Sequence, residues 1–370
     1  MNLKAAVMGC GQISGTYLKN LMGPLSKWIK VMVCSDLIRE RAENRAKEFG
    51  VPHVMEPEDV YIDDTIDLII CLTDAPAHHY VCKKALENGK HAYTEKTFGI
   101  DLTQAGELIE LARKKGLYVG GAPDTFLGAG LQTCRQLISD GWIGKPISAV
   151  ASLRRCMTDI PPAWLWQPGA GPLLDMGPYY LTALISILGK VDMVAGQHHI
   201  PPEPRGGIGQ DGTLSMCRVE VPTHVTGLLR FSCGVDALII TSLDVWDGDG
   251  ENRLEINGTD GTLIFPDPNC FGGPVKFFGK GMTAPMEIPL LFDFSENSRG
   301  VGAAEMARAI LLGEKSRVDG ALGYHVLETA ERIVESGSSQ AYLRVESDIT
   351  PPEGMPRNFA SELCTDSSLK

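Results

Sequence analysis

The seven residues Gly9-Cys10-Gly11-Gln12-Ile13-Ser14-Gly15, set directly after the apolar run Leu3–Met8, constrain this chain more than any other stretch. A short buried strand that enters a glycine loop and then opens a helix is the first turn of a dinucleotide-binding βαβ unit. Gly9 permits the tight turn. Gly11 lets the backbone approach a pyrophosphate, which Gln12 and Ile13 would meet at the helix N-terminus. The third position of the pattern is Ser14 rather than glycine or alanine. Asp36 lies 21 residues past Gly15, at the end of the next apolar run. An acid there accepts hydrogen bonds from ribose hydroxyls and repels a 2′-phosphate, so Asp36 favours NAD over NADP, although Arg39 stands nearby.

Strand and helix periods alternate through the first third. Strands are expected at Val31–Ser35, Ile66–Leu72 and His91–Lys96, and helices at Gly11–Met22, Ile38–Phe49, His78–Asn88 and Asp101–Lys115. Gly50, Gly89 and Gly116 follow the last three helices, where a residue free to turn left-handed ends a helix. Buried strands alternating with helices imply a doubly wound parallel (Rossmann) sheet over residues 1–122. After a helix at Gly130–Ser139 and a strand at Ala149–Arg155, residues 193–278 read as strand after strand. That pattern predicts an α+β domain, residues 123–350, with a large, open, mainly antiparallel sheet. Two late helices, Ala303–Leu312 and Ala321–Ser336, close it. Residues 351–370 read as a tail without firm structure.

Composition excludes several classes of function. With 34 Lys and Arg against 46 Asp and Glu, the net charge of −12 disfavours nucleic acid, which needs clustered cations. No apolar run approaches the roughly 20 residues that span a bilayer, so no membrane partner is expected. The N-terminus lacks a signal-peptide pattern, and the expected location is cytoplasmic. The ten cysteines are scattered with no Cys-x-x-Cys pair, which points to reduced structural thiols. His198-His199 has no carboxylate cluster at metal spacing, and no metal site is expected.

A second constellation centres on Gly171-Pro-Leu-Leu-Asp-Met-Gly-Pro-Tyr-Tyr-Leu181. If one helix begins here, Asp175 and Tyr179 share a face, being four residues apart. The alternatives are a helix-terminal acid interacting with the dipole and a capped core tyrosine. Upstream, Thr73 and His78 form a T-x-x-x-x-H turn, Ala85–His91 reads A-L-x-x-G-K-H, and Glu95-Lys96-Thr97 follows. With the glycine loop and Asp36, these motifs resemble the glucose–fructose oxidoreductase, inositol dehydrogenase and rhizopine catabolism (Gfo/Idh/MocA) family along nearly the whole chain. The likeness extends to its glycoside 3-oxidising branch through Gly169-Ala-Gly-Pro172 and the Asp-Met-Gly-Pro-Tyr-Tyr that follows. Two departures stand out. The family's Glu-Lys-Pro is Glu95-Lys96-Thr97 here, and its usual histidine is Tyr179, as in the glucose–fructose type.

The resemblance implies NAD as cofactor, held by Gly9, Gly11, Gln12, Ile13, Asp36, Thr73, His78, Glu95 and Lys96. It implies catalysis by Lys96, Asp175 and Tyr179. Oxidising a secondary alcohol requires a group to take the hydroxyl proton while hydride leaves. A phenol of ordinary pKa about 10 can do so when a neighbouring ammonium lowers that value. Lys96 supplies the ammonium and a hydrogen bond to the developing alkoxide, while Asp175 orients the substrate hydroxyls and holds Lys96. Asp124 and Arg155 are expected at the pocket rim. Trp164 and Trp166 are candidates for stacking on a sugar ring, against simple packing of their loop. The expected enzyme oxidises a ring hydroxyl of a sugar or glycoside, C3 being the first choice. The alternatives are inositol dehydrogenase, redox-neutral glycoside cleavage on retained NAD, and a non-catalytic NAD-binding regulator. An exposed sheet face suggests a homo-oligomer.

Overall fold

The computed structural model describes residues 2–157, 159–209, 212–246 and 253–365. Eleven elements build the first layer: β1 (Leu3–Met8), α1 (Ser14–Leu21), β2 (Ile29–Ser35), α2 (Arg39–Phe49), β3 (His53–Val54), α3 (Pro57–Ile62), β4 (Leu68–Cys71), α4 (Ala75–Glu87), β5 (His91–Thr94), α5 (Leu102–Lys115) and β6 (Val119–Gly121). The six strands are all parallel, in the order β3-β2-β1-β4-β5-β6. Successive side chains of β1 go to opposite faces: Ala5 and Val7 enter one core, Ala6 and Met8 another. A strand covered on both sides can therefore be apolar throughout. The helix stops behave as expected, since Gly50 and Gly116 are left-handed C-terminal residues of α2 and α5. Asp101 caps α5 by accepting the Gln104 N–H at 2.8 Å. The strand order reverses between β1 and β4, the point at which open α/β sheets hold ligands in a crevice beyond the carboxyl ends of their strands.

The second layer begins with α6 (Ala129–Ser139) and β7 (Pro146–Arg154). Where one helix was expected from Gly171, there are two: α7 (Gly171–Asp175) and α8 (Gly177–Leu188), broken at Met176. Pro178 sits in the first turn of α8, where its missing N–H costs nothing, and the chain turns to admit it. Next come β8 (Val191–His199), the β9–β10 hairpin (Arg205–Ile208, Leu214–Cys217), β11 (His224–Phe231), β12 (Asp236–Ser242), β13 (Arg253–Gly258), β14 (Gly261–Ile264), β15 (Val275–Gly279) and β16 (Met286–Ile288). The helices α9 (Val301–Leu312) and α10 (Gly320–Ser339), the strand β17 (Leu343–Arg344) and the short helix α11 (Phe359–Leu363) complete the chain. Nine strands form one sheet, β16-β15-β14-β13-β7-β12-β11-β8-β17, antiparallel except for the β7–β12 pair. The largely apolar helix α8 is buried and packs against α10, which lies on β8. The tail is more ordered than its composition suggests. The indole N–H of Trp28 donates to the Glu362 carbonyl at 2.7 Å, and Phe359 is buried in the main core.

Candidate active site

The glycine loop occupies the crevice at the end of β1. Gly9 has φ +95°, and a Cβ there would lie 2.6 Å from the Leu72 carbonyl carbon, so only glycine fits. At Gly11 a Cβ would meet nothing within 4 Å, which leaves open space beside the backbone. Ser14 replaces the pattern's third glycine without cost: its buried hydroxyl donates to the Gly11 carbonyl at 2.6 Å. No side chain among the described residues caps α1, so its first N–H groups are available to an anion. The Asp36 carboxylate accepts the Cys10 N–H at 2.7 Å and the Ile38 N–H at 2.8 Å, tying the loop to β2. Each of its oxygens keeps a further lone pair for a ribose hydroxyl. Arg39 is turned to Glu43 and Glu56, at 2.9 and 2.6 Å, and does not compete with Asp36. These features fit a dinucleotide without a 2′-phosphate.

Lys96 joins the two layers. It follows β5, and its ammonium donates to Asp175 Oδ1 at 2.5 Å and to the Asp175 carbonyl at 2.8 Å. The same ammonium lies 6.0 Å from the centroid of the Tyr179 ring. The break at Met176 thus brings both partners to one cation, although they occupy different helices. Burial works against the Lys96 charge, but Asp175, Tyr179 and Glu95 outweigh it and hold the ammonium above its usual range. The Tyr179 hydroxyl runs contrary to expectation. Burial, reinforced by Glu95, raises it above the ordinary phenol value, and the opposing Lys96 and Arg299 do not reverse the shift. At neutral pH both groups hold their protons.

The supports of this cluster are mostly polar groups buried behind it. Glu95 accepts the Tyr17 hydroxyl at 2.7 Å and the Lys96 N–H at 3.0 Å. His78 is buried, with Nδ1 2.9 Å from the Thr97 carbonyl and Nε2 2.9 Å from the Thr73 carbonyl. It clips the turn after β4 to the segment carrying Lys96, and the Lys96–Thr97 peptide bond is cis.

The comparisons with known proteins agree with this geometry. Residues 3–121 match the family described as "Oxidoreductase family, NAD-binding Rossmann fold", and residues 131–264 match the GFO/IDH/MocA C-terminal domain. The chain belongs to the Gfo/Idh/MocA family. Among its relatives is the trans-1,2-dihydrobenzene-1,2-diol dehydrogenase of Bos taurus, 25% identical over 78% of this chain and 81% of that one. Another is the scyllo-inositol 2-dehydrogenase (NAD(+)) of Bacillus subtilis, 26% identical over 55% of this chain and 59% of that one. A levoglucosan dehydrogenase solved with NADH and L-sorbose shares the fold, with a TM-score of 0.79 at 19% identity, over 94% of this chain and 99% of that one. As a Gfo/Idh/MocA oxidoreductase the protein takes NAD, and the crevice at the glycine loop is where its residues would hold it.

Other expected site residues fall elsewhere. Asp124 is not at a pocket rim. It is 1% exposed, and its Oδ2 accepts the Gly300 and Gly302 N–H groups at 2.9 and 3.0 Å. Burial pushes its carboxyl up to about 6. Trp166 offers no stacking face, because it is buried with Leu165, Val219 and Leu243 and donates its indole N–H to Gly206. Trp164, beside it, is 37% exposed. Arg155 is exposed just past β7, where its own N–H donates to the Ser242 carbonyl. The sequence reading missed Arg299, whose positive charge, with that of Lys96, opposes the rise that burial imposes on the Tyr179 hydroxyl. It lies 120 residues beyond Tyr179 in a loop with no period or motif to mark it. Among the described residues no group of three or more His, Cys, Asp or Glu is placed to hold a metal, and no helix is long and apolar enough to cross a membrane. All ten cysteines are free thiols.

Proposed function

We propose that this protein is an NAD-dependent dehydrogenase of a secondary ring hydroxyl in a sugar or glycoside, with C3 of a glucoside as the hydroxyl attacked. The observation that carries the reading is the convergence of Lys96, Asp175 and Tyr179 on one point beside the NAD crevice. The names of its relatives support the substrate class. Dihydrodiol and inositol both present a secondary alcohol on a six-membered ring next to a second hydroxyl, as a pyranose does.

Bound NAD supplies the acceptor for hydride from the carbinol carbon. The protein's part is to move the proton and steady the oxygen. Lys96 has two of its three N–H groups committed to Asp175, which leaves the third to donate to the reacting oxygen as negative charge grows there. Asp175 fixes that ammonium and accepts from a neighbouring hydroxyl. Tyr179, as phenolate, takes the hydroxyl proton; in the reverse direction its phenol returns the proton to the carbonyl oxygen. Because Tyr179 is protonated at neutral pH, the resting site is set for ketone reduction, and oxidation gains as pH rises.

Product analysis by NMR tests the reading, after incubation with NAD and either a glucoside or myo-inositol. A C3 ketone formed from the glucoside faster than any inosose supports it. Turnover of inositol alone would instead assign an inositol dehydrogenase, the reading favoured by the Bacillus relative. A homo-oligomer formed through the open face of the nine-stranded sheet belongs to the same proposal, and analytical ultracentrifugation decides it.

A further inference from the structure

We propose that Glu43 and Glu56 are cofactor-specificity residues, which hold and offset the Arg39 guanidinium and so make the site reject NADP. This rests on the reading of Asp36 as the acid that meets the adenosine ribose. An arginine near that acid is what accommodates the 2′-phosphate of NADP in folds of this kind. Arg39 stands three residues past Asp36, at the start of α2. Its planar fork can grip a phosphate through two parallel hydrogen bonds. Asp36 by itself does not rule this out, because one carboxylate and one guanidinium cancel. The ion pairs do. Arg39 Nε donates to Glu43 Oε1 at 2.9 Å, and its Nη1 donates to Glu56 Oε1 at 2.6 Å. Two carboxylates on one guanidinium leave the charge of Asp36 reinforced rather than cancelled.

Both acids are delivered by backbone that the fold fixes. Glu43 is one turn along α2 from Arg39, at the i, i+4 spacing where side chains meet. Glu56 comes from the next element. β3 lies beside β2 with Val54 opposite Cys34, and the Met55 N–H donates to the Cys34 carbonyl at 3.3 Å. Glu56 follows at the start of α3, where its carbonyl accepts the Asp59 and Val60 N–H groups at 3.1 and 3.2 Å. All three side chains are more than half exposed, Arg39 by 56%, Glu43 by 54% and Glu56 by 55%. Exposed pairs of this sort add little to stability, so their effect falls on what approaches from solvent. Other arginines of α2 do not take the place of Arg39. Arg41 is two residues on and therefore faces away from it. Arg45 pairs with Glu48 at 2.7 Å and donates to the Gly11 carbonyl at 3.2 Å.

The test is a fluorescence titration of the full chain with NADH and with NADPH, in the parent and in Asp36→Ala, where direct repulsion by the ribose acid is gone. Joining Glu43→Gln with Glu56→Gln should tighten NADPH binding about tenfold in either background, the worth of one freed charge-assisted contact. NADH affinity should stay as it was. Adding Arg39→Ala should remove the gain. The single glutamine variants, each expected to show part of the effect, guard against a double variant that fails to fold. No gain for NADPH overturns the proposal. So does a gain that survives Arg39→Ala, because the loss of negative charge alone would then explain it. An equal gain for NADH overturns it too, since the selectivity would be untouched. Unchanged NADH affinity in Asp36→Ala would overturn the reading beneath it instead, whatever the glutamine variants show.

Discussion

Tyr179 is 7% exposed, and burial has the larger say over its proton than the ammonium beside it. Its place in the mechanism therefore predicts a pH dependence of definite sign. An acid held above its ordinary value must lose its proton before it can act as a base, so kcat/KM for oxidation should climb about tenfold per unit from pH 6 toward 10. Ketone reduction should show the opposite trend. A flat oxidation profile over that range would remove Tyr179 as the base. Tyr179→Phe should cost about 10²–10⁴-fold in rate with little change in KM. Lys96→Ala should abolish turnover while NAD still binds by calorimetry, because its ammonium acts on an oxygen absent from the binary complex. Loss of NAD binding in a folded variant would place Lys96 elsewhere. Asp124 yields a stability prediction. Its carboxyl rises from 3.8 to about 6 on folding, so the folded state binds the proton more tightly. Stability is then lost between pH 4 and 6 as that proton leaves, by up to about 3 kcal/mol. Asp124→Asn keeps an acceptor for Gly300 and Gly302 and places an N–H near the otherwise unpartnered Tyr93 hydroxyl. It should melt no lower than the parent at pH 7.5, and a drop of several degrees would contradict this account.

At the scale of elements, one local decision shapes the site and another fixes the tail. The first is the break between α7 and α8. Gly171 takes φ +77° with a Cβ position only 2.9 Å from the Pro222 carbonyl, which seats α7 against the loop before β11. Asp175 then ends one helix, Tyr179 begins the next, and both turn toward Lys96. The second is α11. Phe359 lies between the guanidinium groups of Arg308 and Arg317, at 5.3 and 5.2 Å, and is 2% exposed. The Thr365 N–H reaches the Pro24 carbonyl at 2.9 Å, so the tail closes over the end of α1. Phe359→Ala should cost about 3–5 kcal/mol in urea unfolding. A loss under about 1 kcal/mol would show that the tail is merely laid on the surface.

At the scale of the molecule, the proposed site draws on both layers. The parallel sheet carries the glycine loop and Lys96; the second layer carries Asp175 and Tyr179. Asp36→Ala should weaken NAD binding and narrow the preference over NADP, as measured by fluorescence titration of both cofactors. Unchanged NAD affinity would remove Asp36 from the ribose site. The glycine loop, Asp36, the alternating elements and the change to strand after strand were legible in the amino-acid sequence. Each depends on neighbours in the chain: a turn that only glycine can make, a period of 2 or 3.6, an acid at a strand end. The Lys96, Asp175 and Tyr179 set was legible through its motifs. The tertiary structure alone decided the burial of Asp124 and Trp166, the height of the Tyr179 proton affinity and the arrival of Arg299. Those properties depend on which surfaces exclude water and which distant loops meet, and no local pattern records either. Asp124 and Trp166 carry the same side chains in a rim or in a core, and only packing against α9 and the β9–β10 hairpin placed them inside.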